Sequence, residues 1–423
     1  MSLKETFQDF FEAYPRWYSL LARSYLSKNH FVYHLKRPRL INKKSVCLDS
    51  VELIDHFQNS KRNYFFGYYD KSPWNLSHKY LLYLSAPRIE RHPTVEDEGT
   101  IGYIDLEKSE KKKICKTRAW NWQQGCMLKW LDDSVILYND HRSGRYISVV
   151  RNLHEGVQKV IPFPVYTVDQ DNKQALSLNF ERLHHLRPGY GYDSGRYKLE
   201  GYAPSDDGIF RVDLENEETE LILSLKELSK GEDRYNWVNH IEYNPSGTRA
   251  VFLHRVESSD GWRTRMFTMD PDGSDLYCLC DSGNISHFAW KNDEELLAWA
   301  KKSEDDEEAH YYLFKDKTKN ADIIGGDAFD QDGHPSFSPD GKWILTDTYP
   351  DKGGWKDLIL YDLEQRERYD LGRFHTPIKY RLDPLKSDLH PRWDRTGTKI
   401  SFDSAHEGYR KMYVIDISNI VNK

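Results

Sequence analysis

Apolar and polar positions follow two periods along this chain. Over residues 4–29, Phe7, Phe10, Phe11, Tyr14, Tyr18, Leu21 and Tyr25 recur at steps of three and four, which predicts an amphipathic helix. From about residue 60 the period changes. A short apolar segment runs into a tight polar turn and a second apolar segment follows, and this happens seven times, with units beginning near Phe65, Trp120, Pro162, Trp237, Ile285, Gly333 and Asp388. Two further strand-like runs separate successive copies, such as TRMFTMDP and DLYCLCD. Four short strands per unit, repeated every 40 to 60 residues with one longer gap, predict the blades of a β-propeller. A two-sheet sandwich accounts for strands but not for a phased repeat.

The expected fold is therefore all-β: a seven-bladed β-propeller over 60–423, preceded by a helical or irregular extension over 1–59. The longer gap, about 180–236, reads as an insertion rich in Gly, Tyr, His and Arg. Long loops on rigid scaffolds tend to carry function.

The repeat also carries chemistry. Four units are headed by a histidine: His240 (HIEYNPSGTRAVFLHR), His287 (HFAWKNDEELLAWA), His334 (HPSFSPDGKWILTD) and His390 (HPRWDRTGTKISFD). In three of them the turn glycine lies seven residues on, at Gly247, Gly341 and Gly397. Equal placement in a repeat is equal placement around an axis. The inner-strand heads, Asp70, Gln124, Tyr166, His240, His287, His334 and His390, are expected to crowd one mouth of the central channel. Neutral imidazoles there can hold a divalent cation, Mn or Zn, with Gln124 or Asp70 as an oxygen ligand. His287, His334 and His390 come from consecutive blades and form the core of that set. His240 is either a fourth ligand or a group facing substrate. The competing reading is that each histidine bonds within its own blade. Second-strand ends are expected on the same face, which would bring in His141, Arg142, His254, Arg255 and His406.

Composition narrows the class. The chain is 14% aromatic and 30% charged, with a net charge of −7 and no basic block, so nucleic acid is not an expected partner. Five scattered cysteines do not make a disulfide framework or a zinc knuckle. No signal peptide and no stretch of about 18 apolar residues is visible, so a soluble, cytoplasmic protein is expected. There is no GxSxG elbow and no phosphate-binding glycine loop. Paired-carboxylate glycosidase chemistry stays open, with Asp70, Asp140 and Glu181 near the predicted face.

The segments HPSFSPDGKWILTD, HPRWDRTGTKISFDSAHEG, YNDHRSGRY and FLHR resemble the propeller polysaccharide lyases, the oligogalacturonate and ulvan lyase group, over about residues 60–418. The resemblance implies β-elimination on uronate-containing glycans, with a central metal in the oligogalacturonate enzymes. It implies a catalytic role for His141 and carboxylate neutralisation by His254. It also implies a proton-transfer tyrosine in the insertion, with Tyr190, Tyr192 and Tyr202 all open.

On general chemistry, His141 or His254 can supply the base and a tyrosine the acid, while Arg142, Arg211 and Arg255 are planar carboxylate clamps. His406 is a further candidate for binding substrate. Trp262 and Trp355 are candidate sugar-stacking rings. The expected function is an intracellular lyase acting on acidic oligosaccharides. The alternative is a non-catalytic or biosynthetic glycan-handling propeller of a surface-polysaccharide pathway. A protein-interaction propeller is a third reading, without the WD signature.

Overall fold

The computed structural model describes residues 61–259 and 261–422, together with 45–47, 52–57 and the single positions 26 and 28. The helix expected over 4–29 lies outside the described residues, apart from Leu26 and Lys28, which are helical.

Seven antiparallel sheets form the blades of a propeller, over residues 63–117, 129–161, 167–224, 236–283, 285–323, 336–375 and 392–416. Each sheet runs in chain order from an inner strand at the axis outward, apart from an N-terminal strand added at the outer edge of the last two. The second strands are buried almost throughout, as in Trp343–Asp347 and Ala250–Ser258, because a neighbouring blade packs on each face. The outer strands Glu110–Thr117 and Gly156–Ile161 expose half or more of their residues.

The turn between first and second strands is the same device in three blades. Gly247, Gly341 and Gly397 have φ of 74°, 72° and 74°, a left-handed conformation that favours glycine. Each donates its N–H three residues back, to the carbonyls of Asn244, Ser338 and Asp394. The seven-residue spacing from histidine to glycine is thus the length of one inner strand and its turn.

Two blades are completed from the N-terminal side. Glu52–Ile54 pairs with Lys411–Asp416 as the fourth strand of blade seven. Ser45–Cys47 pairs with Glu367–His375 as a fifth strand of blade six. The stretch read from sequence as an extension therefore supplies the clasp that closes the ring. Asp55 and Glu407 both bind Lys411 at this seam. Phe57 is fully buried and stacks on Tyr64 with ring centroids 4.3 Å apart. Phe57→Ala is expected to destabilise the protein by about 3–5 kcal/mol, checked by denaturant unfolding. A change under 1 kcal/mol would show that the clasp bears little of the stability.

The insertion is shorter than its sequence suggested. Gly208–Asp213 and Thr219–Ser224 are the third and fourth strands of blade three. What remains, 179–207, starts with the helix Phe180–Leu186, whose N-cap Asn179 accepts from the N–H groups of Glu181 and Arg182. Buried Arg182 donates to the carbonyls of Glu200, Gly201, Tyr202 and Asn236, which staples the loop to blade four. Among the described residues, no helix is long and apolar enough to cross a membrane.

Candidate functional site

Four of the inner-strand histidines meet at one end of the channel. Ring centroids lie 6.1 Å apart for His240 and His287, 4.1 Å for His287 and His334, and 4.4 Å for His334 and His390. Tyr68 stands among them, 4.8 to 6.2 Å from all four, and its hydroxyl is 3.4 Å from His240 Nε2. His240 and His390 have φ of 52° and 44°, an uncommon conformation for a residue with a Cβ, of the kind that gathers at functional sites.

Hydrogen bonds settle which ring nitrogens face the centre. The Gly67 carbonyl can only accept, so His390 Nδ1, 3.1 Å away, carries the proton. His334 Nδ1 donates to Asp347 at 2.7 Å and His287 Nδ1 to Asp332 at 3.1 Å. Each ring thus turns its Nε2 away from that bond. His334 Nε2, His390 Nε2 and Asp388 Oδ2 are buried without a hydrogen-bond partner. Ligand atoms of His334, Asp388 and His390 all lie within 4.8 Å of one another, and this is the one such group of three among the described residues.

Asp347 organises the pair, because its carboxylate also accepts the backbone N–H groups of His334, Leu389 and His390. Burial pushes the Asp388 carboxyl up, but Lys356 at 2.7 Å and Lys386 at 3.4 Å outweigh burial and hold it well below the usual range. Burial, reinforced by His334, holds His390 well below the ordinary histidine value and so neutral. Buried, unpartnered ring nitrogens on imidazoles whose far nitrogens are hydrogen-bonded, together with one ionised carboxylate, are a donor set for a divalent metal.

The lip of this site is cationic and aromatic. Arg187 lies over the rings of Tyr190 (4.7 Å) and Trp262 (4.3 Å), and Lys386 over Tyr349 (4.3 Å). Arg255 donates to Asn239 and is pushed down to about 9 by burial and by Arg187. Tyr190 meets His240 edge-on at 5.6 Å. It is aimed there by the loop, since Gly191 lies so flat on the helix that a Cβ would come 2.1 Å from the Phe180 carbonyl.

Several sequence candidates lie elsewhere. Gln124 gives its amide N–H to the Tyr166 hydroxyl at 2.6 Å, the same hydroxyl that accepts from the His240 backbone N–H, and its Oε1 is buried without a hydrogen-bond partner. Asp70 lies on the turn side of the channel, bonded to Lys71, and Tyr68 occupies the level expected of it. The inner strand of blade one, Asn63–Phe65, stops early, and its pairing with the second strand resumes only at Trp74. His254 is fully buried, 3.2 Å from Asn236 Oδ1. Its side chain points between blades because alternate strand residues face opposite sides.

Tyr192 is also sealed, stacked on Phe180 at 4.4 Å with its hydroxyl accepting from Asn139. Tyr202 lies outside, 48% exposed against Tyr235. Arg211 pairs with Glu220 on the outer part of blade three, His406 packs inside blade seven against Tyr413 and Ser404, and Trp355 is core. His141 opens into a separate cleft of about 300 Å³ with Arg118, Glu181 and Arg196, while Arg142 is held beside it by Asp140. Asp388, Tyr68, Arg187 and Lys386 were missed. Asp388 had a signal: two residues before His390 on an extended segment, it points to the same side.

Burial pushes His254 down to about 3 from an ordinary 6.5. The unfolded chain binds that proton more readily, so this contribution to stability is full above pH 6.5 and is lost as pH falls from there toward 3, at up to about 1.4 kcal/mol per pH unit. His254→Asn is expected to flatten the pH dependence of unfolding free energy across that window. An unchanged slope would remove His254 from the acid sensitivity.

No protein-family model matches the chain, and no curated protein matches it. Among solved structures, an oligogalacturonate lyase in complex with manganese is similar at 15% identity and TM-score 0.62, over 90% of this chain and 99% of that one. The oligogalacturonate lyase of Vibrio parahaemolyticus matches at 13% identity and TM-score 0.60, over 88% and 97%. The acylaminoacyl peptidase of Pyrococcus horikoshii matches at 12% identity and TM-score 0.51, over 87% of this chain and 55% of that one. The chain is thus a seven-bladed β-propeller similar in fold, along nearly their whole length, to oligogalacturonate lyases.

Proposed function

We propose that the protein is a lyase that cleaves uronate-containing oligosaccharides by β-elimination at the histidine-side mouth of the channel. The observation that carries this reading is the convergence of two buried, unpartnered Nε2 nitrogens with the Asp388 carboxylate, beside a lip of Arg187, Arg255 and Lys386. A metal-fitted centre next to clustered cations suits an anionic substrate. Similarity in fold to oligogalacturonate lyases, one of them a manganese complex, supports it.

His334, His390 and Asp388 would hold the divalent ion, Mn or Zn, with His287 alongside. Such an ion supplies Lewis acidity to the uronate carboxylate, which makes the C5 proton removable. The protein's own residues do the rest. Arg187 and Arg255 bind the carboxylate, and Trp262, 40% exposed at the lip, offers a face to a sugar ring. Tyr190 is the insertion tyrosine that reaches the cluster, and it serves as the proton-transfer group. Burial, with Arg255 nearby, holds His240 well below the ordinary histidine value, so it stays neutral and able to accept a proton. In the reaction the C5–H and C4–O bonds break, a C4=C5 double bond forms, and the leaving oxygen takes a proton. All five cysteines are free, which suits a reducing, cytoplasmic setting.

A second reading places the chemistry in the neighbouring cleft, where His141 and Glu181 share a space with Arg118 and Arg196. The test of the lyase function is incubation of manganese- or zinc-supplemented protein with a panel of uronate oligosaccharides, read by absorbance of the unsaturated product. The expected result is product from at least one of them. No product from any would favour a glycan-handling propeller without catalysis.

A further inference from the structure

The opposite mouth of the channel holds a second cluster of charged groups that this mechanism does not use. It is a pocket of about 280 Å³ at the turn ends of the inner strands, lined by Asp70 and Lys71 from blade one, Lys129 from blade two, Glu242 from blade four and Arg395 from the turn of blade seven. Tyr166 lines it as well, with its hydroxyl accepting from the His240 backbone N–H at 3.0 Å.

Both signs of charge in this pocket keep unmet hydrogen-bonding capacity. The Asp70 side chain is 9% exposed, and one of its oxygens meets Lys71 while Oδ1 is buried without a partner. Burial and the nearby Asp70 push Glu242 well above the usual carboxylate range. This side wants a cation. Asp169, the third carboxylate of the lining, is taken up by the backbone N–H groups of Lys173 and Gln174, and among the described residues no three metal-ligating groups converge here, so the pair suits an ammonium better than a metal. Lys129 presents three donors and spends one on the Val168 carbonyl at 3.1 Å. Burial and the adjacent Lys71 push its ammonium down to about 8, and burial likewise lowers Arg395. This side wants an anion. A ligand of one sign would relieve one set and aggravate the other.

We infer that this pocket binds a small zwitterion of the α-amino-acid type, its ammonium between Asp70 and Glu242 and its carboxylate at Lys129 and Arg395. The volume suits a single free amino acid, and Trp130, Val165 and Met127 offer an apolar wall to its side chain. The site is independent of the elimination reaction.

The experiment is calorimetric titration of the full chain with the free α-amino acids, each compared with its N-acetylated form and its decarboxylated amine. Saturable binding of at least one free amino acid is expected, weakened about 10-fold or more in either blocked form. Asp70→Asn and Lys129→Met should each weaken it similarly at an unchanged melting temperature. If Lys129→Met fails to fold, Arg395→Gln on the turn tests the same half. Equal binding of the N-acetylated form would make this an anion site, and equal binding of the amine a cation site. No binding by any of the three would leave a water-filled channel mouth. Each of these outcomes overturns the proposal.

Discussion

Tyr190→Phe lowers the rate of uronate elimination by about 10²–10⁴-fold, the usual worth of a positioned acid or base, and leaves the melting temperature unchanged. The ring makes the packing contacts, to Tyr68 at 6.2 Å and His240 at 5.6 Å, and phenylalanine keeps them. The loss therefore falls on kcat rather than on folding. Initial rates of unsaturated-product formation measure it, with His141→Ala as the comparison. If Tyr190→Phe keeps wild-type activity and His141→Ala abolishes it, the chemistry belongs in the cleft of Arg118 and Arg196.

Arg392→Met destabilises the protein by about 3–5 kcal/mol, because it strands a buried carboxylate. Arg392 and Asp403 are each 1% exposed and meet at 2.8 Å. The same guanidinium donates to the carbonyls of Gly67 and Tyr68, and so holds the loop whose Gly67 oxygen orients His390 and whose Tyr68 ring fills the centre of the site. Denaturant unfolding reads the loss. Lysine cannot form the same fork, so Arg392→Lys is expected to rescue little. Adding Asp403→Leu to Arg392→Met removes the stranded charge and is expected to recover much of the stability. A single variant within 1 kcal/mol of wild type would mean that the loop is held by other contacts.

The blades were legible in the sequence because the turn glycines and the histidines recur in phase, and phase survives any detail of side-chain packing. The meeting of His334 and His390 follows from that repeat alone. The residues that complete the site break the repeat. Tyr68 comes from the loop that follows the short inner strand of blade one, and Asp388 precedes its repeat position by two residues. Arg187 and Tyr190 sit in a loop whose path depends on a capped helix and on Gly191. His254 and Tyr192 were misplaced for different reasons: along a strand a one-residue change swaps the face a side chain takes, and in the loop Tyr192 is turned onto Phe180. The clasp strands 45–47 and 52–54 are three residues each, too short for any period to register.

That clasp also sets an order of events during synthesis. Asp55 leaves the ribosome early, yet its partner Lys411 is 356 residues further on. At ordinary rates of translation the first must wait roughly 20–70 s for the second. Throughout that interval blades six and seven are unfinished, and an unpaired strand edge is open to chaperones, proteases and the edges of other nascent chains. The finished ring hides this vulnerability, and it is greatest in a protein stalled or truncated near its C-terminus.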